Sequence, residues 1–384
     1  MRPTPATWSS SPMAFTSRAD IIYAYDIVSR VAIPKLLTVT SVNGPTVTTI
    51  LADVYPHFAF GCRGAFLTNG AVLAGFTLSL GNATLGMNNN YDRSGGGVYC
   101  MSYLSVVSNC IVMQNKSGMA GGGAFQGTYI NCLFTGNSSG SAYGGGAYGA
   151  TLINCTVVAN SGNYGGVVGC TAKNSIIYFN SGGNWTSSVL TRSCSTGLGG
   201  GAGNLSGDPQ FVNAAEGDFH LNTNSPCINA GDNSLVPVAV DLDGNPRIVG
   251  GAVDLGAYEF QTPASIISYA WLQQYGLPTD GSADFIDTDG DGMNNWQEWR
   301  CGTDPTNPAS VLKMLAPSNS APGVTVPWAS VGGINYYLQR STDLSAQSAF
   351  STIQSNITGL AGTTTYTDTN ATGAEPFFYR VGVQ

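Results

Sequence analysis

The chain has 384 residues, room for two or three domains, and its formal net charge of −8 excludes nucleic acid and anionic membrane surfaces as expected partners. Only 9% of residues are Asp, Glu, Lys or Arg, glycine reaches 51 and hydrophobic residues make up 43%, which excludes a disordered chain and predicts an all-β protein of short strands and tight turns. No apolar run reaches the roughly 18 residues of a membrane-crossing helix, so no transmembrane segment is expected.

Residues 1–30 suggest no folded element. Prolines and serines follow Arg2, and the apolar patch at 21–33 is broken by Asp26 and Arg30, so no secretory signal is visible and the true start is expected upstream.

From about residue 70 a ladder appears. Asn109-Cys110, Asn131-Cys132 and Asn154-Cys155 are spaced by 22 and 23 residues, and Asn174-Ser175 follows after 20. Six residues beyond each lies another Asn: 115, 137, 160 and 180. Glycine triplets start upstream at Gly95, Gly121 and Gly144. A period of about 20–25 residues with β-branched runs describes one coil of a β-solenoid, in which equivalent side chains stack in columns. Asn and Gly suit left-handed corners, and stacked Asn amides can bond along a column. Cys110, Cys132 and Cys155 are expected inside as buried thiols, because in-register neighbours suit a disulfide poorly. Tyr99, Phe125 and Tyr148 follow the glycine runs in register. They form a candidate binding face if they point outward and core if they point inward; alternation leaves both open.

The stretches GGGAF (121–125) and FTGN (134–137) resemble the paired GGA[ILV] and FxxN repeats of the chlamydial polymorphic outer-membrane proteins. That resemblance implies a surface-displayed, right-handed parallel β-helix associated with adhesion. Next, GDPQFVNAAEGDFHLNTNSPCINAGDN (207–233) and DLDGNPRIVGGAVDLGAYEF (241–260) resemble the closing segment of secreted bacterial β-helix proteins of the choice-of-anchor type. The resemblance implies a β-helix over 31–262, capped at about 196–262.

Residues 287–298, DTDGDGMNNWQE, meet the spacing of a calcium loop. Asp287, Asp289 and Asp291 supply alternate carboxylates, Gly292 a sharp turn and Glu298 two closing oxygens, with the Met293 carbonyl and a water held by Asn295 completing the shell. With GTDPTN after it, the segment resembles thrombospondin type-3 or dockerin-like calcium loops. Short helices are expected on either side, in 268–277 and 294–299, making 263–310 a calcium-binding connector. By contrast DLDGNP (241–246) carries only the start of such a loop and reads as a β-turn. Residues 311–384 alternate as a small antiparallel sandwich resembling fibronectin type III-like modules, with Trp328 and Tyr337 expected in its core.

Polysaccharide lyases and hydrolases also use β-helices, but between Arg93 and Gly207 there is no Asp or Glu. The one cluster worth considering for catalysis is Asp53, His57, Arg63, Asp92 and Arg93, and no catalytic residue is assigned. The expectation is a non-catalytic extracellular or cell-surface protein that binds calcium and engages a glycan or a host or cell-surface protein. A carbohydrate-active β-helix and a passive spacer are the alternatives.

Overall fold

A computed structural model describes residues 22–24, 27–52, 61–84, 93–140, 143–199, 201–320, 323–345, 350–372 and 376–384. They form two compact units, 1–264 with 268–270, and 265–267 with 271–384.

In the first unit the chain runs repeatedly through three sheets of eight, seven and six strands. One circuit takes Ala124–Phe125 in the first sheet, Thr128–Ile130 in the second and Leu133–Thr135 in the third, then the short strand Ser138–Ser139. The next repeats this with Ala147–Tyr148, Thr151–Ile153 and Thr156–Val158. Pairing between circuits is parallel and in register, so Val107, Tyr129, Leu152 and Ala172 form one column. Parallel strands stacked in successive circuits are the arrangement expected of a β-helix. In the N-terminal stretch, Ile22–Ala24 pairs antiparallel with Ile27–Ile33, which opens the first sheet.

In the second and third sheets the middle residue of each three-residue strand points inward. Tyr129 and Phe134 fill the second and third walls while Ala124 and Ala147 line the first, all with no exposure. Large residues facing small ones let the core close without voids. Corners fall where the backbone turns left-handed: Asn109, Asn131, Asn154 and Asn174 have φ of 48°, 51°, 52° and 48°. Asn tolerates this conformation better than most residues.

The triplets answer a steric demand. Gly121 has φ +66°, and a Cβ there would lie 2.1 Å from the Ala124 carbonyl oxygen. At Gly122 and Gly123 a Cβ would lie 2.3 Å from the Ser138 carbonyl and 2.6 Å from the Gly146 carbonyl. Only glycine lets these backbones approach so closely.

The second Asn column forms the amide ladder. Asn115 donates N–H and Nδ2 to Asn137 Oδ1 at 3.0 and 2.9 Å, and Asn137 does the same to Asn160 at 3.0 and 2.9 Å. Asn160 repeats it to Asn180 at 3.0 and 2.9 Å. Spare Nδ2 protons go to Leu78 and Val112 carbonyls at 3.0 and 2.8 Å. The Asn-Cys column makes no such ladder; its role is the corner backbone.

Residues 207–262 do more than cover an end. They fold back along the outer side of the third sheet, where Phe219, Leu242, Ala257 and Tyr258 pack on Leu133 and Val158. Polar bonds fix this cover: Asn131 Nδ2 donates to the Val240 carbonyl, Asp232 N to Asn174 Oδ1 at 2.9 Å and Ala257 N to Thr156 Oγ1 at 2.9 Å. The DLDGNP stretch is the expected turn, with Gly244 N donating to the Asp241 carbonyl at 3.1 Å.

The second unit holds helix α1 in part (Tyr269–Gln274), helix α2 (Asn295–Cys301) and six antiparallel strands in two three-stranded sheets, a small sandwich. Trp328 is fully buried there. Its core partner is Tyr336, at 5.9 Å between ring centroids, whereas Tyr337 is only half-buried, a correction of one register position.

Candidate metal centre

The acidic loop is built by its own backbone. Asp287 Oδ1 and Oδ2 accept from Gly290 N and Gly292 N at 2.8 and 3.0 Å, Asp289 Oδ1 from Asp291 N at 3.2 Å and Asp291 Oδ1 from Met293 N at 2.7 Å. The glycines take φ of 81° and 96°, which turns the chain around a common centre. Directly after it, Asn294 caps α2 in a capping box: Gln297 N donates to Asn294 Oδ1 at 2.9 Å and Asn294 N to Gln297 Oε1 at 2.9 Å. That cap fixes the first turn of α2 and so the position of Glu298.

Carboxylate oxygens of Asp287, Asp289 and Asp291 lie within 4.8 Å of one another. Asp289 Oδ2, Asp291 Oδ2 and Glu298 Oε2 are buried without a hydrogen-bond partner. Burial, reinforced by Asp289, Asp291 and Asp287, pushes the Glu298 carboxyl up to about 7. Orphaned buried carboxylate oxygens are costly unless a cation meets them. An all-oxygen set on a flexible loop fits a hard divalent cation such as calcium, and Met293 stands between the cluster and α2 where the template places a carbonyl ligand. Asn295 is itself held by hydrogen bonds. Its Oδ1 accepts from Thr288 Oγ1 at 2.9 Å and its Nδ2 donates to the Ala283 carbonyl at 2.8 Å, so its amide braces the loop.

The aromatic column lies on the opposite side of the first sheet from the core residues Val98, Ala124 and Ala147, so it faces outward from the coil. It is nevertheless a packed stack. Tyr99 and Phe125 are 5.1 Å apart and Phe125 and Tyr148 5.6 Å, nearly parallel, and Tyr99 and Phe125 are buried. Phe66 extends the stack at 6.1 Å, and the Arg63 guanidinium lies 5.6 Å from the Tyr99 ring centre. Tyr148 keeps partial exposure. An outward column shielded in this way falls between the two expected alternatives.

Cys110, Cys132 and Cys155 are fully buried free thiols, and all nine cysteines are buried and unlinked. Burial pushes the Cys110 thiol up to about 12 and Cys132 upward as well, which leaves no thiolate to act as a nucleophile. Asp53, His57 and Asp92 lie outside the described residues. Arg63 is buried and donates Nε to the Ser94 carbonyl at 2.9 Å. Lys116 is exposed, in register with Ser138.

Sequence reasoning missed one arrangement. His220 Nδ1 meets Asp218 Oδ1 at 2.6 Å and Nε2 meets Asp243 Oδ2 at 2.7 Å, with Tyr258 beside the ring at 4.2 Å. Hydrogen bonding to Asp243 first, then to Asp218, raises His220 from 6.5 to about 9 despite partial desolvation. Both ring nitrogens are committed, which makes it a clamp between the strand Asp218–Leu221, paired antiparallel with Phe211–Asn213, and the turn at 241–246.

Among the described residues no helix is long and apolar enough to cross a membrane. No curated protein and no solved structure matches the chain. Residues 287–308 match the bacterial TSP3 repeat, a calcium-binding type of repeat, and the match begins on the first aspartate of the acidic cluster.

Proposed function

We propose that this is a non-catalytic extracellular or cell-surface protein: a right-handed parallel β-helix with a fibronectin type III-like module, stabilised by calcium, that serves adhesion, ligand binding or surface display. The observation that carries the reading is the Asp287, Asp289, Asp291 and Glu298 set, with three buried unpartnered carboxylate oxygens inside a TSP3-like segment. Calcium there neutralises the cluster and holds α2 and the loop as one rigid piece. Extracellular fluid supplies calcium at concentrations such loops need, which supports an outside location. The right hand follows from the near-universal handedness of parallel crossovers.

The coils carry the absence of catalysis. From residue 94 to 206 they present no carboxylate for acid–base work or for holding a catalytic cation, and the basic residues Lys116, Lys173 and Arg192 have no acidic neighbours in that span. The ligand class is a glycan or a host or cell-surface protein, with the partly exposed Tyr148 the most accessible member of the aromatic column Tyr99, Phe125 and Tyr148. Incubation with neutral and acidic polysaccharides, with and without calcium, tests the reading. Retention without new reducing ends supports a glycan-binding protein. Cleavage of any polymer overturns the non-catalytic claim in favour of a carbohydrate-active β-helix.

A further inference from the structure

The strand Ser351–Thr358 is an open edge of the sandwich in the second unit. It pairs antiparallel with Asn335–Ser341, whose other side is taken by Phe378–Val383. Among the described residues its own outer side meets no strand. Such an edge presents unpaired backbone groups, and proteins blunt it with short length, charges, prolines or bulges. This strand has eight residues and no proline, and it lies in a run from 344 to 367 without a charged residue. Bulges are its one protection: residues 351–358 oppose only 335–340, and Asn356 turns left-handed at φ 55°.

The strand is also self-complementary. Residues 352–358 read Thr-Ile-Gln-Ser-Asn-Ile-Thr, the same order of side-chain types from either end. Antiparallel pairing of two copies centred on Ser355 sets Thr352 against Thr358, Ile353 against Ile357, Gln354 against Asn356 and Ser355 against itself. The symmetry continues past the strand, with Phe350 matching Leu360, which is exposed. Exposure follows the same axis: Thr352, Gln354, Asn356 and Thr358 are exposed, while Ile353, Ser355 and Ile357 are half-buried. Hydroxyl meets hydroxyl and amide meets amide on the outer face, and isoleucine meets isoleucine on the inner. Cross-strand pairs of this kind are the unit of sheet stabilisation.

We propose that Ser351–Thr358 is a self-association edge: two copies of the chain pair these strands antiparallel about a two-fold axis through Ser355, joining two three-stranded sheets into one. A two-fold interface uses the same patch on both copies, which is what a self-complementary strand supplies. The bulges favour the same partner. They increase local twist, and a second copy carries the same twist, whereas an unrelated flat strand does not. The Ser355 carbonyl at the centre accepts from Gln354 Nε2 at 3.0 Å, a surface bond that an incoming backbone N–H can replace. The other edges suit a partner less well. Phe378–Val383 carries Arg380 in mid-strand, Ser318–Ser320 is short, and Gly362–Asp368 ends on Asp368, which Arg340 Nη1 and Tyr379 Oη engage at 2.8 and 3.1 Å.

The test is sedimentation velocity of the full chain from about 5 to 500 µM, in millimolar calcium throughout. One strand pair lies at the low end of interface sizes, so the expected result is a reversible monomer–dimer equilibrium with a dissociation constant on the order of 10–100 µM. Two variants then fix the register. Thr352→Lys/Thr358→Lys sets lysine against lysine twice across the axis and should weaken the dimer roughly tenfold or more. Thr352→Lys/Thr358→Glu sets lysine against glutamate twice and should associate at least as tightly as the wild type. Both replace exposed side chains, and melting of the second unit at low concentration checks that each is folded. A wild type that stays monomeric at 500 µM overturns the proposal. So does association that survives in both variants, which places it on another surface, or that is lost in both while each melts as the wild type. The result does not depend on whether the first unit binds a ligand.

Discussion

Replacing Asn137 by alanine tests the amide ladder where it is most fully bonded. Asn137 has no exposure and takes part in four side-chain bonds: it accepts from Asn115 N and Nδ2 at 3.0 and 2.9 Å and donates to the Val112 carbonyl at 2.8 Å and Asn160 Oδ1 at 2.9 Å. Alanine leaves the Asn115 N–H buried without that acceptor, while Asn115 Nδ2 keeps the Leu78 carbonyl and Asn160 Oδ1 keeps the Asn137 N–H. An orphaned buried donor costs about 1–3 kcal/mol and each other lost bond about 0.5–1.5, which puts the whole change near 4 kcal/mol. For a unit of this size that is a fall of roughly 10 °C in the first unit's melting temperature, read by far-ultraviolet circular dichroism. Asn109→Ala is the control. It removes a partly exposed side chain and places alanine at φ 48°, costing about 1 kcal/mol. Equal losses in the two variants would refute the ladder as a source of stability.

Other outcomes follow from the same geometry. Gly121→Ala combines φ +66° with a 2.1 Å clash and should cost about 3–4 kcal/mol, whereas Gly197→Ala, at φ +75° with open space, should cost about 1; expression yield and melting separate them. His220 is raised in the folded state, so its clamp contributes fully below about pH 6.5 and is lost as pH rises through about 9. Melting of the first unit should therefore fall between pH 6.5 and 9.5, and His220→Gln should remove that component; an unchanged profile would exclude the clamp as its source. Asp289→Asn removes charge from a carboxylate whose Oδ2 is orphaned, and should raise the melting temperature of the calcium-free second unit while lowering it in millimolar calcium, in contrast to the wild type.

The coils were legible because each circuit repeats a local rule. The Asn-Cys spacing marks one corner per turn, and the triplets mark where adjacent backbones nearly touch. The acidic loop was legible for the same reason, since its carboxylates lie close together in sequence. Relations between distant segments were not. Leu133 and Val158 look like ordinary strand residues, and nothing local shows that Phe219 and Tyr258 cover them. Asn131 and Asn174 read as left-handed corners, and nothing local shows that their amides bond the Val240 and Asp232 carbonyls. Period-two alternation assigned Tyr99, Phe125 and Tyr148 to one side but could not say that the outer side is packed. Asn295 fits the loop template by its position, and nothing local shows that its amide also bonds Thr288 and the Ala283 carbonyl.

Calorimetric titration of the full chain with calcium tests the central claim most directly. The account predicts one ion per chain with a dissociation constant on the order of 0.1–1 mM or tighter, a calcium-dependent rise in the second unit's melting temperature, and loss of both in Glu298→Gln. No binding at several millimolar calcium, or binding unchanged in Glu298→Gln, would contradict it.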